Sequence, residues 1–228
     1  MFGLPLLAGL VGLTFEAIVL RQFAERRRPY QAAWGGALLC FGAAALWEAA
    51  GVFGGWSPLL YKGYYLLGGI LNVGWLGVGT VYVLAPRRWG HAAAIVMGVI
   101  TVLAVPAVAV APTDAHLLQA AIPGRGAIGT PAIFFPPVTN SLGSLLLIGG
   151  AAWSAYRSYA RHAGAGRVVG MVLIAAGAFV VAGTHTLAQV RNAYAVQPVG
   201  EAIGILVMFA GYLGVEARAL PMRRRSAA

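Results

Sequence analysis

The chain alternates long apolar blocks with short breaks that contain Gly, Pro or Arg. A membrane-spanning helix needs about 20 mostly apolar residues, and the blocks recur at this length. The pattern predicts an all-α polytopic membrane protein, folded as a seven-transmembrane-helix bundle. The predicted helices cover residues 3–20, 32–53, 61–85, 90–111, 133–156, 168–190 and 197–217.

The composition agrees with this pattern and leaves no segment for a separate soluble domain. Of the 228 residues, 60% are hydrophobic and 10% are charged, whereas soluble domains carry about 25% charged residues. We therefore expect residues 1–228 to form one transmembrane domain, with a basic tail at residues 218–228.

Basic residues concentrate in alternate breaks. Thirteen of the 16 lie in the first, third and fifth breaks and in the tail, and the opposite side of the membrane keeps only Lys62, Arg125 and Arg191. By the positive-inside rule, the N-terminus lies outside and the C-terminus in the cytoplasm. The membrane thus accounts for the net charge of +10 without a nucleic-acid partner. We expect a multi-pass protein of a bacterial-type plasma (inner) membrane.

The sequence lacks the motifs of common cofactor and metal sites. The single cysteine, Cys40, lies within an apolar block, which excludes an intrachain disulfide and a cysteine zinc site. A retinal Schiff base needs a lysine within a helix, but Lys62 lies at a helix edge. A haem held by two histidines needs both at matching depth, and His185 alone lies well within a predicted helix. We expect no cofactor and no metal.

A constant offset of 136 aligns several landmarks of the first three and last three predicted helices. It places Leu20–Ala24 on Tyr156–Ala160, Gly68 on Gly204 and the Arg87-Arg88 pair on Arg223-Arg224. These matches fit a 3+1+3 parallel repeat, as in some transporters, and they fit chance in a chain rich in Ala, Gly and Leu.

Glycines recur at the G-x-x-x-G spacing in three places. This spacing allows membrane helices to approach closely. It predicts tight helix packing and a homo-oligomer formed through Gly-rich helix faces. The three pairs are Gly51/Gly55, Gly166/Gly170 and Gly200/Gly204.

The longest break, residues 111–137, is rich in Gly and Pro. The orientation above places it outside the cell. A loop of this length can form a lid or a plug, and it can equally be an inert connector.

Polar side chains within the predicted helices gather at one depth. With a rise of about 1.5 Å per residue, Glu48, His185, Asn140 and Glu201 all fall in the outer layer of the membrane, Lys62 caps the third helix, and Asn72 lies nearer the midplane. Ionisable residues at such positions normally face the interior of the bundle and pair. These six residues are the candidate lining of a binding pocket, with Glu48 and Glu201 as catalytic candidates.

Three functions fit these residues, and the sequence leaves open whether the protein is an enzyme. The leading interpretation is an outward-facing polar pocket that binds or transports a small solute or proton, with Glu48 as the charge carrier. The alternative is an intramembrane enzyme on a lipid or isoprenoid substrate, with Glu48 as general acid. The third is a sensory or structural membrane subunit.

Two resemblances correspond to the first two functions. The helix count, orientation and 3+1+3 plan resemble the seven-helix sugar transporters of the SWEET and PQ-loop type, although residues 197–198 read Gln-Pro rather than Pro-Gln. "LWEAAG" and "VGEAIG" resemble the acid-bearing stretches in helices 2 and 7 of the fungal seven-helix membrane terpene cyclases, with Glu replacing the usual Asp in one of them. This resemblance implies proton transfer by Glu48 and Glu201.

Overall fold

A computed structural model describes residues 3–162 and 164–216, and all of its long elements are helices. Within this described part of the chain, seven helices are long and apolar enough to cross a membrane, which confirms the predicted number. They are α1 (Gly3–Arg26), α2 (Pro29–Gly54), α3 (Pro58–Leu84), α4 (Arg87–Val110), α5 (Phe135–Ala160), α6 (Ala165–Arg191) and α7 (Gln197–Glu216). The predicted basic tail lies outside the described residues.

Local sequence explains where several helices begin and end. Pro29 and Pro58 each occupy a first turn, where a missing N–H costs nothing. The Ser57 side chain accepts a hydrogen bond from the Leu60 N–H and caps α3. Asn192, in the left-handed conformation, ends α6. The first prediction ended too early, because α1 continues through its arginines to Arg26, whose long side chain can reach the membrane interface.

The helix α3 contains an irregular segment. Its first turns, Pro58–Tyr64, are α-helical, Tyr65–Leu71 is a π-helix, and Asn72–Leu84 is again α-helical. A π-helical turn changes the direction of the residues on either side of it and is often found at functional sites.

Six of the helices form a closed ring. Each helix contacts the next in the order α1, α2, α3, α5, α6, α7, and α7 contacts α1 to close the ring. The helix α4 lies outside this ring and packs mainly against α3. The α1–α2, α3–α4 and α5–α6 connections are short and lie at one end of the bundle, which we call the arginine-rich end. Its arginines are Arg21, Arg26–Arg28, Arg87, Arg88, Arg157, Arg161 and Arg167. The opposite end, with residues 111–131, is the loop end.

The centre of the ring is filled with apolar side chains. One cluster joins Phe15 of α1, Leu38 of α2, Leu76 of α3, Leu147 of α5 and Ile205 of α7. Large apolar side chains on α4 and α6, such as Val102 and Phe179, are exposed instead. This arrangement fits a bundle whose outer surface contacts lipid.

The helices α6 and α7 touch through reciprocal glycine contacts. A Cβ on Gly177 would lie 2.5 Å from the Gly204 carbonyl oxygen, and one on Gly204 would lie 2.7 Å from the Gly177 oxygen. The same exchange links Gly170 and Gly211, at 2.7 and 2.6 Å. The helices therefore pack backbone against backbone, as the glycine content predicts, but through a spacing of seven residues rather than four. A homo-oligomer stays a prediction.

The connection between α4 and α5 is folded onto the loop end. It contains the 3₁₀ turns Leu117–Gln119 and Arg125–Ala127. The Trp56 indole N–H donates to the Ala121 carbonyl at 3.0 Å, and the Tyr61 hydroxyl donates to the Gly124 carbonyl at 2.7 Å. The connection is thus attached to the α2–α3 turn through Trp56 and to the start of α3 through Tyr61. These contacts do not distinguish a lid, a plug and an inert connector.

Candidate functional site

Three ionisable side chains meet inside the ring near the loop end. Glu48 comes from α2, His185 from α6 and Glu201 from α7. The helices α2 and α6 lie on opposite sides of the ring, so these side chains approach one another across its interior. Glu48 has no exposed surface and Glu201 is 5% exposed. The structure thus brings together three of the six predicted pocket residues.

A chain of hydrogen bonds joins α6 to α7 at this site. His185 Nε2 lies 2.7 Å from Glu201 Oε1, and Gln197 Nε2 lies 3.3 Å from His185 Nδ1. Thr184 does not compete for the imidazole, because its hydroxyl donates to carbonyls within α6. Both ring nitrogens of His185 therefore have a partner on α7.

Glu48 lies beside Glu201 and within electrostatic range of His185. Neither Glu48 oxygen has a hydrogen-bond donor among the described residues. Two ionised carboxylates side by side in an apolar interior repel each other strongly. One proton shared by the two carboxyls removes this repulsion and supplies the missing donor, so the pair can hold and release a proton.

Tyr64 of α3 lies beside the carboxyl pair and belongs to an aromatic cluster. Tyr64 lies within electrostatic range of both Glu48 and Glu201. The Trp56 ring lies 5.2 Å from the Tyr64 ring and 5.8 Å from the Tyr61 ring, and Tyr61 lies 6.0 Å from Tyr65. These are the aromatic residues that a membrane-interface belt would contain, but here they form one cluster between the loop end and the site.

Of the other three predicted residues, Asn140 and Lys62 make their contacts elsewhere. Asn140 donates to the Gly69 carbonyl at 2.9 Å, within the π-helical segment of α3. Lys62 donates to the Ala109 carbonyl at 2.7 Å and joins α3 to the end of α4. Asn72 is buried, and its Oδ1 has no partner among the described residues. Similar depth did not bring Asn140 or Lys62 to the Glu48 site.

Two site residues were missed from the sequence. Gln197 was considered only as part of a Gln-Pro pair, although it precedes Glu201 by four residues and so shares its helix face. Tyr64 belongs to a group of aromatic residues that an interface belt would explain equally well. The antiparallel pairing of α2 and α3 could have indicated Tyr64. This pairing brings Gly63 against Trp47, and the residues that follow these two are Tyr64 and Glu48.

Two surface cavities lie apart from this site. A groove of about 580 Å³ runs between α5 and α6, past Phe179, Gly183 and Arg191. A smaller crevice of about 270 Å³ lies between α6 and α7 near the arginine-rich end, lined by Gly166 and Gly214. Within residues 3–162 and 164–216, no group of three or more His, Cys, Asp or Glu side chains is placed to hold a metal ion.

No protein-family model matches the chain, and neither a curated protein nor a solved structure has significant similarity to it. The functional argument therefore depends on the chemistry of the Glu48, His185 and Glu201 site.

Proposed function

We propose that the protein is an intramembrane enzyme that protonates an apolar lipid or isoprenoid substrate, with Glu48 as the general acid. The observation that carries this proposal is the buried carboxyl pair of Glu48 and Glu201, which has an imidazole on one side and aromatic rings on the other. A carboxylic acid kept from water can deliver its proton to a weakly basic group.

The proposed reaction is an isomerisation, and its atoms balance without a co-reactant. Glu48 gives a proton to a carbon–carbon double bond, which leaves a carbocation on the substrate and a carboxylate on Glu48. A second double bond attacks the cation and forms a ring. Loss of a proton to the carboxylate pair then gives the product and restores the acid.

The aromatic cluster supports the cationic stage of this reaction. The faces of Tyr and Trp rings attract a cation, by about 0.5–2 kcal/mol each at close range. Tyr64 lies within electrostatic range of both carboxyls, and Trp56 and Tyr61 extend the aromatic surface toward the loop end. The apolar ring interior also keeps water from quenching a carbocation.

The test is product formation by the purified protein in nanodiscs, with a panel of prenyl and polyprenyl substrates. Glu48→Gln keeps the size of the side chain and removes the acid, so we expect product formation to fall by about 10²–10⁴-fold. The matched control is Glu16→Gln, because Glu16 is another acid within a span, partly buried on α1 and away from the Glu48 site. Full activity of Glu48→Gln would contradict the proposal.

We keep transport of a small solute or proton as a second candidate because the helix arrangement supports a repeat. Adding 136 to the bounds of α2 gives 165–190, and α6 covers Ala165–Arg191. The repeat pairs α1 with α5, α2 with α6 and α3 with α7. A contact between α3 and α5 then corresponds to one between α7 and α1, and the structure has both contacts. Some transporters are built from such parallel repeats.

Flux measurements in proteoliposomes separate the two candidates. Transport predicts uptake that Glu48→Gln abolishes, with no chemical change in the solute. An enzyme predicts a new product and no dependence on a gradient across the membrane.

We also propose that the arginine-rich end faces the cytoplasm, as the 13 to 3 distribution of basic residues supports. Arg125 is exposed in the connection at the loop end. With Cys40→Ser as background, Arg125→Cys should react with a membrane-impermeant maleimide in intact cells. Arg88→Cys, at the opposite end, should react only after the cells are opened.

A further inference from the structure

We propose that Gln197 is a positioning residue that fixes the tautomer of His185 and thereby decides which of the two glutamates holds the proton. The catalytic consequence rests on the proposed function, whereas the tautomer itself does not. The observation is the unbroken order of contacts from Gln197 Nε2 to His185 Nδ1, and from His185 Nε2 to Glu201 Oε1.

The direction of the hydrogen bonds follows from the amide. An amide nitrogen donates and has no lone pair to accept with. His185 Nδ1 must therefore accept the proton from Gln197, and in a neutral imidazole the ring proton then lies on Nε2. Nε2–H donates to Glu201 Oε1, so this oxygen is the acceptor.

The position of Gln197 suits this role. It is 7% exposed and lies at the start of α7, one helical turn before Glu201 on the same face. The reciprocal glycine contacts hold α6 against α7, so the imidazole lies between the amide and the carboxylate of a single helix. Its position is therefore set by two neighbours that cannot move independently.

The remaining groups at the site complete the proton assignment. Glu48 from α2, Tyr64 from α3 and His185 from α6 are the titratable groups facing Glu201 from the surrounding helices. With the imidazole donating, Glu201 is held as the carboxylate. The proton shared by the pair then belongs to Glu48, which makes Glu48 the acid and Glu201 its neighbouring base.

The experiment is nitrogen NMR of the full-length protein labelled with ¹⁵N-histidine, in nanodiscs. The chain has four histidines, and His185→Gln identifies the His185 signals by their loss. We expect wild-type His185 to be neutral with the proton on Nε2. Gln197→Met should give a mixture of tautomers, and Gln197→Glu should move the ring proton to Nδ1 or produce the imidazolium.

Gln189→Met is the matched control, because Gln189 is exposed on α6 one turn beyond His185. It should leave the His185 signals unchanged. In the product assay, Gln197→Met should lower kcat at least 10-fold with little change in KM, since the amide acts through His185 rather than on the substrate.

Once His185→Gln has assigned the signals, the wild-type spectrum can overturn the inference, so the test does not depend on whether a Gln197 variant folds. A proton on Nδ1 in wild type, or a Gln197→Met spectrum identical to wild type, would show that the amide does not set the tautomer. Absence of any product from the wild-type protein would instead contradict the proposed enzyme and leave the tautomer result intact.

Discussion

The reciprocal glycine contacts predict that Gly177→Ala will damage both the stability and the site. The new methyl group would lie 2.5 Å from the Gly204 carbonyl oxygen and 2.8 Å from the Met208 backbone nitrogen. A carbon normally stays about 3.3–3.6 Å from a carbonyl oxygen. Because both neighbours are backbone atoms, no rotamer change relieves the clash, and α6 must move away from α7 by about 0.8 Å or more.

This displacement is large compared with the tolerance of the site. His185 lies eight residues along α6 from Gly177, about 12 Å at 1.5 Å per residue. If the helix moves as a rigid rod, the 2.7 Å contact between His185 and Glu201 lengthens to about 3.5 Å, beyond the usual hydrogen-bond range. Inserting a methyl group into a packed interface costs about 1–3 kcal/mol of unfolding free energy.

Reversible unfolding in mixed micelles measures the stability, and the ¹⁵N-histidine spectrum measures the contact. Gly183→Ala is the control on the same helix, because a Cβ at Gly183 meets no atom within 4 Å. It should keep wild-type stability and the His185 signals. If Gly177→Ala matched Gly183→Ala in both measurements, the close packing of α6 and α7 would not be what positions His185.

Three further substitutions test contacts away from the glycines. Tyr61→Phe removes the 2.7 Å hydrogen bond to the Gly124 carbonyl; this costs about 1–2 kcal/mol locally, so tryptic cleavage after Arg125 should become about 5–30-fold faster. Lys62→Met should leave catalysis or flux unchanged, because the Lys62 ammonium group donates to a carbonyl of α4 outside the site. A loss of activity would show that Lys62 is part of the binding pocket. Arg26→Ala breaks the 2.7 Å ion pair with Glu216 and should lower stability by about 1 kcal/mol or less, an effect that should shrink in high salt.

The sequence was sufficient for the number of helices and for the shared level of Glu48, His185 and Glu201 along the bundle. Both follow from apolar length and from the rise per residue, which do not depend on tertiary packing. Glu48, His185 and Glu201 could therefore be placed in one layer before their partners were known.

Direction around the helix axis could not be predicted in the same way. In lipid, interior and exterior faces are both apolar, so the hydrophobic pattern does not distinguish them. Asn140 has the same predicted depth as Glu48 but donates to the π-helical segment of α3. The neighbours α1 and α7, which close the ring, are separated by most of the chain.

The closed ring has a consequence for biosynthesis. Glu48 is synthesised 153 residues before Glu201, and the ring cannot close until α7 has joined α1 and α6. During translation, α2 therefore enters the bilayer with an acid whose partners do not yet exist, at a cost of a few kcal/mol. We expect α2 to be retained near the insertion machinery, or to enter with its carboxyl protonated, until the last helix emerges. Arrest of translation before α7 should trap a nascent chain that crosslinks to the translocon through α2.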